Sequence, residues 1–268
     1  MRPGDIARRV LLGAACEITR LRDGLVYLAA GSLRLEQIRA HVAQSWNDYN
    51  TQDAEIASGL FKWEQVLSAE FIADRDRVLL VGAGTGRDIV ALADRGARVT
   101  GVEPSARAAA TARRVIAERR LPASIVEGFF EDLDLTESFD VVLFSNFCLS
   151  YIPGSSRRVD VLKRARTRLS PGGRVIVSTL FRQRPPRGRP VRIGRFAGWL
   201  TRSDWRVEDG DLFHAVPGHP PGLFYEHFFG PGEIEREGGD AGLSVVGRGA
   251  DPHDEPFVVF AAGSGYLP

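Results

Sequence analysis

The sequence predicts an α/β protein in which helices cover both faces of a mostly parallel sheet. Short, continuous apolar runs alternate with segments of helical spacing between residues 77 and 179, which is the pattern of parallel strands joined by helical crossovers. The first 75 residues show helical spacing alone. Two apolar runs near the C-terminus lie only about nine residues apart, too few for a helical crossover. We therefore expect a helical region, a parallel sheet and an antiparallel pair of strands at one edge.

The first 75 residues are predicted to be helical because apolar residues recur three and four positions apart. A short apolar run at 10–16 follows three arginines, but Asp5 and Glu17 flank it, so an ordinary helix is favoured over an export signal. No apolar run approaches the roughly 18–20 residues of a membrane-spanning helix. The three helical sets are Leu11, Ala14, Ala15, Ile18, Leu25 and Ala29; Leu35, Ile38, Val42 and Trp46; and Ile56, Leu60, Trp63 and Leu67.

The predicted strands are short and mostly apolar, as expected for strands that are buried on both faces of a sheet. Helices are expected between them at 88–95, at about 105–120 and at 157–169. A long segment rich in Arg, Pro and Gly, 181–242, separates the fifth strand from the last two. The predicted strands are 77–81, 97–102, 124–127, 139–144, 174–179, 243–247 and 257–261.

The composition is that of an ordinary globular protein. Of 268 residues, 44% are hydrophobic and 26% are charged, so a sizeable core can be buried. The net charge of +1 gives no global attraction to nucleic acid or to an anionic membrane, and we expect neither as a partner. The two cysteines cannot form a disulfide framework, which favours a reducing, cytoplasmic location.

The first strand ends in a glycine-rich turn, Gly82-Ala-Gly-Thr-Gly86, that opens into a helix. Glycines allow a sharp turn and a close approach of ligand to backbone, and the helix N-terminus adds N–H donors. Glu103, about 21 residues beyond Gly82, is placed to accept hydrogen bonds from ribose hydroxyls. A dinucleotide-binding turn would carry Gly where this chain has Arg87, which disfavours a nicotinamide oxidoreductase. Asp88 is expected to be a first-turn helix acid rather than a ligand.

Five motifs in order resemble those of the class I S-adenosylmethionine-dependent methyltransferases, and together they span residues 77–262. The spacing of the three glycines resembles the first motif of that family. The resemblance implies a Rossmann-like, seven-stranded, mostly parallel sheet with helices on both faces, preceded by an N-terminal helical lid. The other four motifs are Phe139–Pro153, Leu169–Val177, Phe228–Arg236 and Asp240–Leu243.

The resemblance also implies a domain organisation and an activity. The helical lid would occupy 1–75 and the cofactor-binding domain 76–268, with a lid-like insertion at about 181–242. The implied cofactor is S-adenosylmethionine, with S-adenosylhomocysteine as its product. The implied reaction is methyl transfer to an oxygen or nitrogen atom of a small molecule, in specialised metabolism. Alternatives with the same fold are a reaction other than methylation, such as cyclisation, and a non-catalytic binding or scaffold subunit.

The cofactor contacts of the family can be carried over position by position. The glycine-rich turn would hold the methionine and ribose parts, Glu103 the ribose diol, and Phe129 and Phe130 would flank the adenine. Leu80 stands where the family often has an acid, so the contact to the cofactor's amino group must come from elsewhere. Phe129 stands where the family often has another acid, so Asp132 is the residue expected to bind the adenine amino group. The expected cofactor-binding residues are Tyr49, Gly82, Ala83, Gly84, Gly86, Glu103, Pro104, Ser105, Phe129, Phe130, Asp132, Ser145, Asn146 and Phe147.

Few side chains are candidates for a general base. His227 lies in a segment that covers the substrate pocket in related folds, so it is expected to be a base or substrate contact, or else structural. Tyr225 is a second candidate, and Asn146 would face the methyl-transfer centre. Tyr49 would lie over the sulfonium or serve as an ordinary packed aromatic. Cys148 is expected to be a small buried hydrophobe, and no metal site is expected.

The segment 182–206 holds eight arginines and one acid. It is either a solvated loop or a surface that recognises an anionic small-molecule substrate. Nucleic acid is not expected as a substrate, because the fourth strand ends in Ser145-Asn-Phe-Cys148 rather than the N-P-P-aromatic sequence of nucleic-acid amino-methyltransferases. The N-terminal helices are a candidate surface for a homodimer.

Overall fold

The structure, a computed structural model, describes residues 3–48, 53–218, 222–249 and 257–263. Within these ranges it contains a seven-stranded sheet with helices on both faces and a separate two-stranded hairpin, which confirms the predicted fold class. The strands are β1 (Arg77–Val81), β2 (Arg98–Glu103), β3 (Ala123–Glu127), β4 (Phe139–Phe144), β5 (Leu169–Ser178), β6 (Asp211–Val216), β7 (Gly222–His227), β8 (Leu243–Arg248) and β9 (Phe257–Ala262). The α-helices are α1 (Pro3–Ser32), α2 (Leu35–Asp48), α3 (Asp53–Ser58), α4 (Lys62–Phe71), α5 (Arg87–Asp94), α6 (Ala106–Arg119), α7 (Ser155–Thr167), α8 (Arg189–Thr201) and α9 (Glu233–Asp240).

The seven strands of the large sheet lie in the order β3-β2-β1-β4-β5-β9-β8. β1 pairs in parallel with both β2 and β4. β9 lies between β5 and β8 and is antiparallel to both, which confirms the antiparallel edge predicted from the short connection. The chain reverses its direction of progress across the sheet between β1 and β4. In open parallel sheets such a reversal leaves a crevice at the carboxyl ends of the strands, where ligands bind.

The side chains of β1 alternate between two apolar clusters, one on each face of the sheet. Val78 and Leu80 pack in one cluster together with Ile89 of α5, and Leu79 and Val81 pack in the other. The side chains of Val78, Leu79, Leu80 and Val81 are all buried. Because both faces of the strand are covered, it shows a continuous apolar run rather than an alternating one.

The hairpin of β6 and β7 and the helix α8 lie in the segment 181–242, where the sequence predicted no regular element. The inward-facing residues of β7 are Leu223, Tyr225 and His227, which are buried at every second position. The surrounding Pro and Gly residues obscured this short alternation. The hairpin packs against α2, so the segment forms a second layer beside the N-terminal helices.

The fifth strand begins earlier than the sequence predicts. Ser170–Gly173 was expected to be a turn before a strand at 174, but β5 starts at Leu169, which pairs with Phe139. The pairing with β4 then shifts register, and Gly172 has a φ of 78°. The predicted turn is thus an irregular stretch within the strand rather than a separate connection.

The regular elements described within residues 3–75 are all helices, α1 to α4. α1 contacts α8, and α2 contacts β7 and α6. Trp63 and Leu67 of α4 join the apolar cluster that contains Val78 and Leu80. None of the described helices is both long enough and apolar enough to cross a membrane.

Glycines allow α1 and α8 to approach each other closely. A Cβ atom on Gly31 would lie 2.0 Å from the carbonyl oxygen of Gly194, and one on Gly194 would lie 3.1 Å from the carbonyl oxygen of Tyr27. The contact is therefore between backbones, and a larger residue at Gly31 would force the two helices apart. Gly13, near the other end of α1, has no such neighbour within 4 Å.

The same substitution at two glycines of α1 should have opposite effects. Gly31→Ala should lower the free energy of unfolding by about 1–3 kcal/mol, because the added methyl group meets backbone atoms that cannot move aside easily. Gly13→Ala should leave it unchanged or raise it by up to about 1 kcal/mol, because Ala favours a helix and nothing blocks its Cβ. Urea unfolding of the two variants measures this, and equal effects would contradict the close contact with α8.

Candidate active site

A cavity of about 320 Å³ lies at the carboxyl ends of β1, β2 and β4. This is the crevice that the reversal of strand order creates. The turn after β1 and the loops after β2, β3 and β4 contribute its floor. α2 and β7 contribute the opposite wall through Trp46 and Phe224. Sheet, N-terminal helices and hairpin thus all line one cavity.

The glycine-rich turn forms part of the cavity floor. Gly82 and Gly84 have φ values of 77° and 54°, in the left-handed region that favours glycine. A Cβ atom on Gly82 would lie 2.6 Å from Cβ of Cys148, so this position has no room for a side chain. A Cβ atom on Gly84 would meet no protein atom within 4 Å, and Gly84 lines the cavity, so a ligand can approach its backbone.

Glu103 lines the cavity beside the glycine-rich turn and is only 5% exposed. One carboxylate oxygen accepts a hydrogen bond from the backbone N–H of Gly84 at 2.8 Å, and the other accepts one from the N–H of Ser105 at 2.8 Å. Burial raises the pKa of Glu103 above its ordinary value, although the two N–H donors oppose that rise. A carboxylate has about four acceptor positions, so two donors leave room for two more hydrogen bonds.

The cavity is apolar beyond Glu103. Phe129 and Phe130, which follow β3, line it together with Pro104. The guanidinium of Arg39 on α2 stacks on the Phe129 ring at 4.2 Å. The same guanidinium pairs with Asp132 and, at 3.4 Å, with Glu131. Arg39 therefore joins α2 to the loop after β3.

A buried charged cluster lies at the other side of the glycine-rich turn. Arg87 and Asp88, the first residues of α5, both line the cavity and are nearly fully buried. The guanidinium of Arg87 pairs with Asp88 and with Glu64 of α4, and Ser145 donates its hydroxyl hydrogen to Asp88. Burial, followed by the nearby Asp88, raises the pKa of Glu64 to about 7. Two carboxyl groups thus share one guanidinium beneath the cavity.

Three aromatic rings form the wall opposite the sheet. Trp46 of α2 meets Tyr151, which follows β4, at a centroid distance of 5.1 Å, and both rings meet Phe224 of β7 edge to face. Edge-to-face pairs hold such rings in fixed orientations. These three residues line the cavity; we call them the aromatic wall.

Known proteins resemble this chain in sequence and in fold. The sequence model of the methyltransferase domain matches residues 78–173, the stretch that forms most of the cavity floor. An uncharacterised methyltransferase from Oceanobacillus iheyensis is 28% identical over 156 residues, which are 57% of this chain and 70% of that protein. The structure of a glycopeptide N-methyltransferase, MtfA, complexed with S-adenosylmethionine shares the fold with a TM-score of 0.54 at 18% identity, over 79% of this chain and 97% of that one. Residues 78–173 therefore form a methyltransferase domain, in a fold shared with S-adenosylmethionine-dependent methyltransferases.

A further relative of this methyltransferase has a named substrate type. The cypemycin N-terminal methyltransferase from a Streptomyces species is 33% identical over 118 residues, which are 43% of this chain and 45% of that protein. This chain therefore matches less than half of the cypemycin enzyme's length.

The cavity of the methyltransferase fits S-adenosylmethionine. The two free acceptor positions of Glu103 suit the two hydroxyls of a ribose. Phe129 and Pro104 would supply apolar contacts for the adenine, and the accessible backbone at Gly84 would suit the methionine part. Among the described residues, the lining carries one guanidinium group, on Arg87, and three carboxyl groups, on Asp88, Glu103 and Glu131. This excess of acid suits a positively charged sulfonium.

The structure corrects the expectation that His227 and Tyr225 face the substrate. Both side chains are completely buried, and neither lines the cavity. The Tyr225 hydroxyl donates to Asp211 at 2.9 Å, and the His227 ring contacts Asp211 at 2.8 Å and Glu233 at 3.2 Å. Burial lowers the pKa of His227, but its hydrogen bonds to the two carboxylates outweigh burial and raise that pKa above its ordinary value. The structural role weighed for His227 is the one that this geometry supports.

Glu208, Asp211 and His227 lie close enough together to share a metal ion. Their ligand atoms are instead used by internal hydrogen bonds. Asp211 accepts from Tyr225 and from the backbone N–H of Glu208, and the buried guanidinium of Arg158 contacts Glu208 at 3.2 Å. A guanidinium at this distance neutralises the carboxylate that a cation would need.

Five other predicted cofactor residues have different positions from those expected, or lie outside the described ranges. Gly86 and Ser105 begin α5 and α6, and the Ser105 hydroxyl accepts a hydrogen bond from Ala108. Phe147 turns away from the cavity and stacks on Trp63. Asp132 pairs with Arg39 outside the lining, where Glu131 stands instead, and Tyr49 lies outside the described residues. The remaining predicted residues line the cavity: Gly82, Ala83, Gly84, Glu103, Pro104, Phe129, Phe130, Ser145 and Asn146.

Several residues of the cavity were not identified from the sequence. Asp88 was expected to be only a helix acid, yet it lines the cavity and holds Ser145. Trp46 belongs to a predicted helix and Tyr151 to the motif Phe139–Pro153, but neither pattern marks its residue as part of a cavity. Cys148 donates its thiol to the Val81 carbonyl at 3.0 Å, and burial raises its thiol pKa well above the ordinary value. That placement agrees with a packing role rather than a nucleophilic one.

Glu103→Gln should weaken binding of S-adenosylmethionine by about tenfold to a hundredfold. The amide presents an NH₂ group to one of the two backbone N–H donors at Gly84 and Ser105, so the loop loses a hydrogen bond and the ribose loses an acceptor. Glu127→Gln is the matched control, because Glu127 pairs with Glu103 in the sheet but is exposed and does not line the cavity. Calorimetric titration measures both affinities. Equal affinity of Glu103→Gln and the unmodified enzyme would rule out this assignment.

His227→Gln should lower the free energy of unfolding by about 3 kcal/mol at pH 6, since Asp211 and Glu233 lose a buried charged partner. A raised folded-state pKa stabilises the protein below the ordinary histidine pKa, about 6.5, and this stabilisation is lost as pH rises through the folded-state value. The variant should therefore lose less stability than the unmodified enzyme as pH rises above about 6.5.

His214→Gln is the control for His227→Gln. His214 lies on the same hairpin but is exposed, and its ring meets Glu226 at 3.4 Å. This control should change stability by less than about 0.5 kcal/mol. Denaturant unfolding at several pH values makes the comparison, and parallel pH profiles for the unmodified enzyme and His227→Gln would disprove the charged state of His227.

Proposed function

We propose that this methyltransferase transfers the methyl group of S-adenosylmethionine to the nitrogen atom of a small-molecule amine. One observation carries the choice of nitrogen over oxygen. Among the described residues that line the cavity there is no histidine and no lysine. A hydroxyl acceptor needs a base to remove its proton, whereas a neutral amine attacks through a lone pair that it already has.

The carboxyl groups of the lining do not provide that base. Glu103 accepts hydrogen bonds from two backbone N–H groups. Asp88 is held by Arg87 and Ser145. Glu131 is paired with Arg157 at 3.0 Å and with Arg39. Each of these carboxylates is thus engaged by donors of the protein, and the remaining acceptor positions of Glu103 are assigned to the ribose, so none of the three is free to take the proton of a hydroxyl acceptor.

The reaction needs positioning more than proton transfer. When bound, S-adenosylmethionine supplies an electrophilic methyl group on a sulfonium. The amine lone pair forms the new N–C bond, the C–S bond breaks with its electrons going to sulfur, and the resulting ammonium releases its proton to water. The residues of this chain hold the two partners in line and exclude water from the cavity, which is the main source of acceleration for such a displacement.

The acceptor is bound by the aromatic wall of Trp46, Tyr151 and Phe224. An apolar or ring-bearing amine fits these ring faces and edges. None of the eight arginines of 182–206 lines the cavity, and the lining carries more carboxyl groups than guanidinium groups. The cavity therefore supports a neutral or cationic acceptor, and the anionic substrate considered from the sequence loses its support. Asn146, at the end of β4, is the polar side chain that orients the amine.

The relatives support nitrogen as the acceptor atom and specialised metabolism as the setting. One is named for methylation of the N-terminus of cypemycin and another for N-methylation of a glycopeptide. Both names specify methylation at nitrogen.

Residues 1–75 act as a lid over the cofactor in this proposal. Arg39 and Trp46 lie on α2, where the first is joined to the loop after β3 and the second belongs to the aromatic wall. The insertion at 181–242 supplies Phe224 from the other side.

Both cysteines, Cys16 and Cys148, are free thiols, which supports a location in the reducing cytoplasm.

The pH dependence of the reaction should follow the acceptor and not the enzyme. With no enzyme base, kcat/KM for an amine should rise about tenfold per pH unit up to the pKa of that amine and then level off. Two amines of different pKa, such as an alkyl amino sugar and an aryl amine, should therefore level off at different pH values. Product formation is measured by mass spectrometry.

The hydroxyl analogue of each amine is the matched control and should not be methylated. A levelling-off at one pH for both amines would identify an enzyme base. Methylation of a hydroxyl analogue at a comparable rate would contradict the choice of nitrogen, while leaving the assignment of the cofactor site intact.

A further inference from the structure

The first half of α1 extends away from the rest of the described structure. Every residue from Arg8 to Arg22 is exposed, on all sides of the helix. Contact with α8 begins near Gly24, where a Cβ atom would lie 3.6 Å from Ile193. An isolated helix of about 15 residues is only marginally stable in water, because few interactions offset the cost of ordering its backbone. Such a helix needs a partner.

The exposed apolar side chains of α1 follow a seven-residue repeat. Spacings of three and four residues alternate without interruption from Leu11 to Leu28, as at the a and d positions of a coiled coil. Leu11, Ile18, Leu21 and Leu25 are each 67–69% exposed. We call this row the α1 seam: Leu11, Ala14, Ile18, Leu21, Leu25 and Leu28.

We propose that two copies of this methyltransferase form a homodimer in which their α1 helices pair along the seam as a parallel, two-stranded coiled coil. A repeat of seven residues, or 3.5 per turn, keeps apolar side chains facing a partner helix, whereas a helix on a flat surface needs only the ordinary period of 3.6. The seam spans 18 residues, or about 27 Å of helix, which is two and a half repeats.

The charges beside the seam favour a second copy in the parallel orientation. With Leu11 and Ile18 at a positions, Glu17 occupies a g position and Arg22 the e position of the next repeat. In a parallel pair, g of one helix lies beside the following e of the other. Glu17 of each copy therefore lies beside Arg22 of the other, which gives two opposite-charge pairs. In the single chain these side chains make only exposed contacts with Arg20 and Asp23.

A membrane surface fits α1 less well than a second copy does. A helix that lies on an anionic membrane carries mainly Lys and Arg on its polar face. The charged residues of α1 are nearly balanced, since four arginines stand against three acids: Arg8, Arg9, Arg20 and Arg22, and Asp5, Glu17 and Asp23. The helix α8, which packs against α1, adds exposed Phe196, Trp199 and Leu200 to the apolar surface.

The mass of the full chain in solution tests the dimer. The unmodified protein should have twice the mass of one chain by light scattering at micromolar concentration. The double variant Ile18→Glu/Leu21→Glu places charge at the seam and should be monomeric. The control Thr19→Glu adds charge to the same turn but off the seam, and it should remain dimeric. All three should bind S-adenosylmethionine with equal affinity, since these residues do not line the cavity.

A charge exchange tests the orientation. Glu17→Arg alone places two arginines together and should weaken the dimer, and adding Arg22→Glu should restore it. A monomeric unmodified protein, a dimeric double variant or a monomeric Thr19→Glu control would each overturn the proposal. Failure of the exchange to restore pairing would overturn the parallel arrangement. Flotation of a monomeric protein with vesicles of phosphatidylcholine and phosphatidylglycerol would instead identify a membrane as the partner of α1.

Discussion

The cofactor end of the cavity depends on one buried carboxylate. Glu103 ends β2 and accepts a hydrogen bond from the N–H of Gly84 and another from the N–H of Ser105, each at 2.8 Å. A buried carboxylate without donors would be strongly unfavourable. The two N–H groups offset part of that cost, and in doing so they hold the turn after β1 against the start of α6. The cavity floor is therefore organised by the protein itself.

A second buried cluster holds the hairpin that contributes Phe224 to the cavity. Arg158 of α7 pairs with Glu237 of α9, and His227 joins β7 to Glu233 at the start of the same helix. Burial lowers the pKa of Arg158, but its hydrogen bond and charge interaction with Glu237 raise that pKa on balance. Successive side chains of a strand point to opposite faces. Because His227 and Tyr225 point into this cluster, Phe224 points to the other face and into the cavity, so the histidine contributes by positioning the hairpin.

The parts that could be predicted from the sequence are those that local patterns determine. The glycines of the turn, the parallel sheet implied by alternating elements and the position of Glu103 all follow from spacing along one stretch of chain. The aromatic wall could not be predicted in that way, because Trp46, Tyr151 and Phe224 come from three distant segments and meet only through packing. The partners of His227 could not be predicted for the same reason: Asp211 and Glu233 are ordinary acids in the sequence, and only the fold brings them to both ring nitrogens.

The near-zero net charge of the chain conceals a separation of charge that bears on the acceptor. Two arginines of 182–206 contact other side chains of the protein. Arg195 pairs with Asp209 at 2.9 Å, and Arg182 stacks on the ring of Phe228 at 3.7 Å. The cavity, in contrast, is lined by more carboxyl groups than guanidinium groups. A lining of this sign attracts a sulfonium and an ammonium and repels a carboxylate or phosphate. A neutral amine that accepts a methyl group becomes an ammonium, so the same field that attracts the sulfonium would also stabilise the charge that methyl transfer leaves on nitrogen.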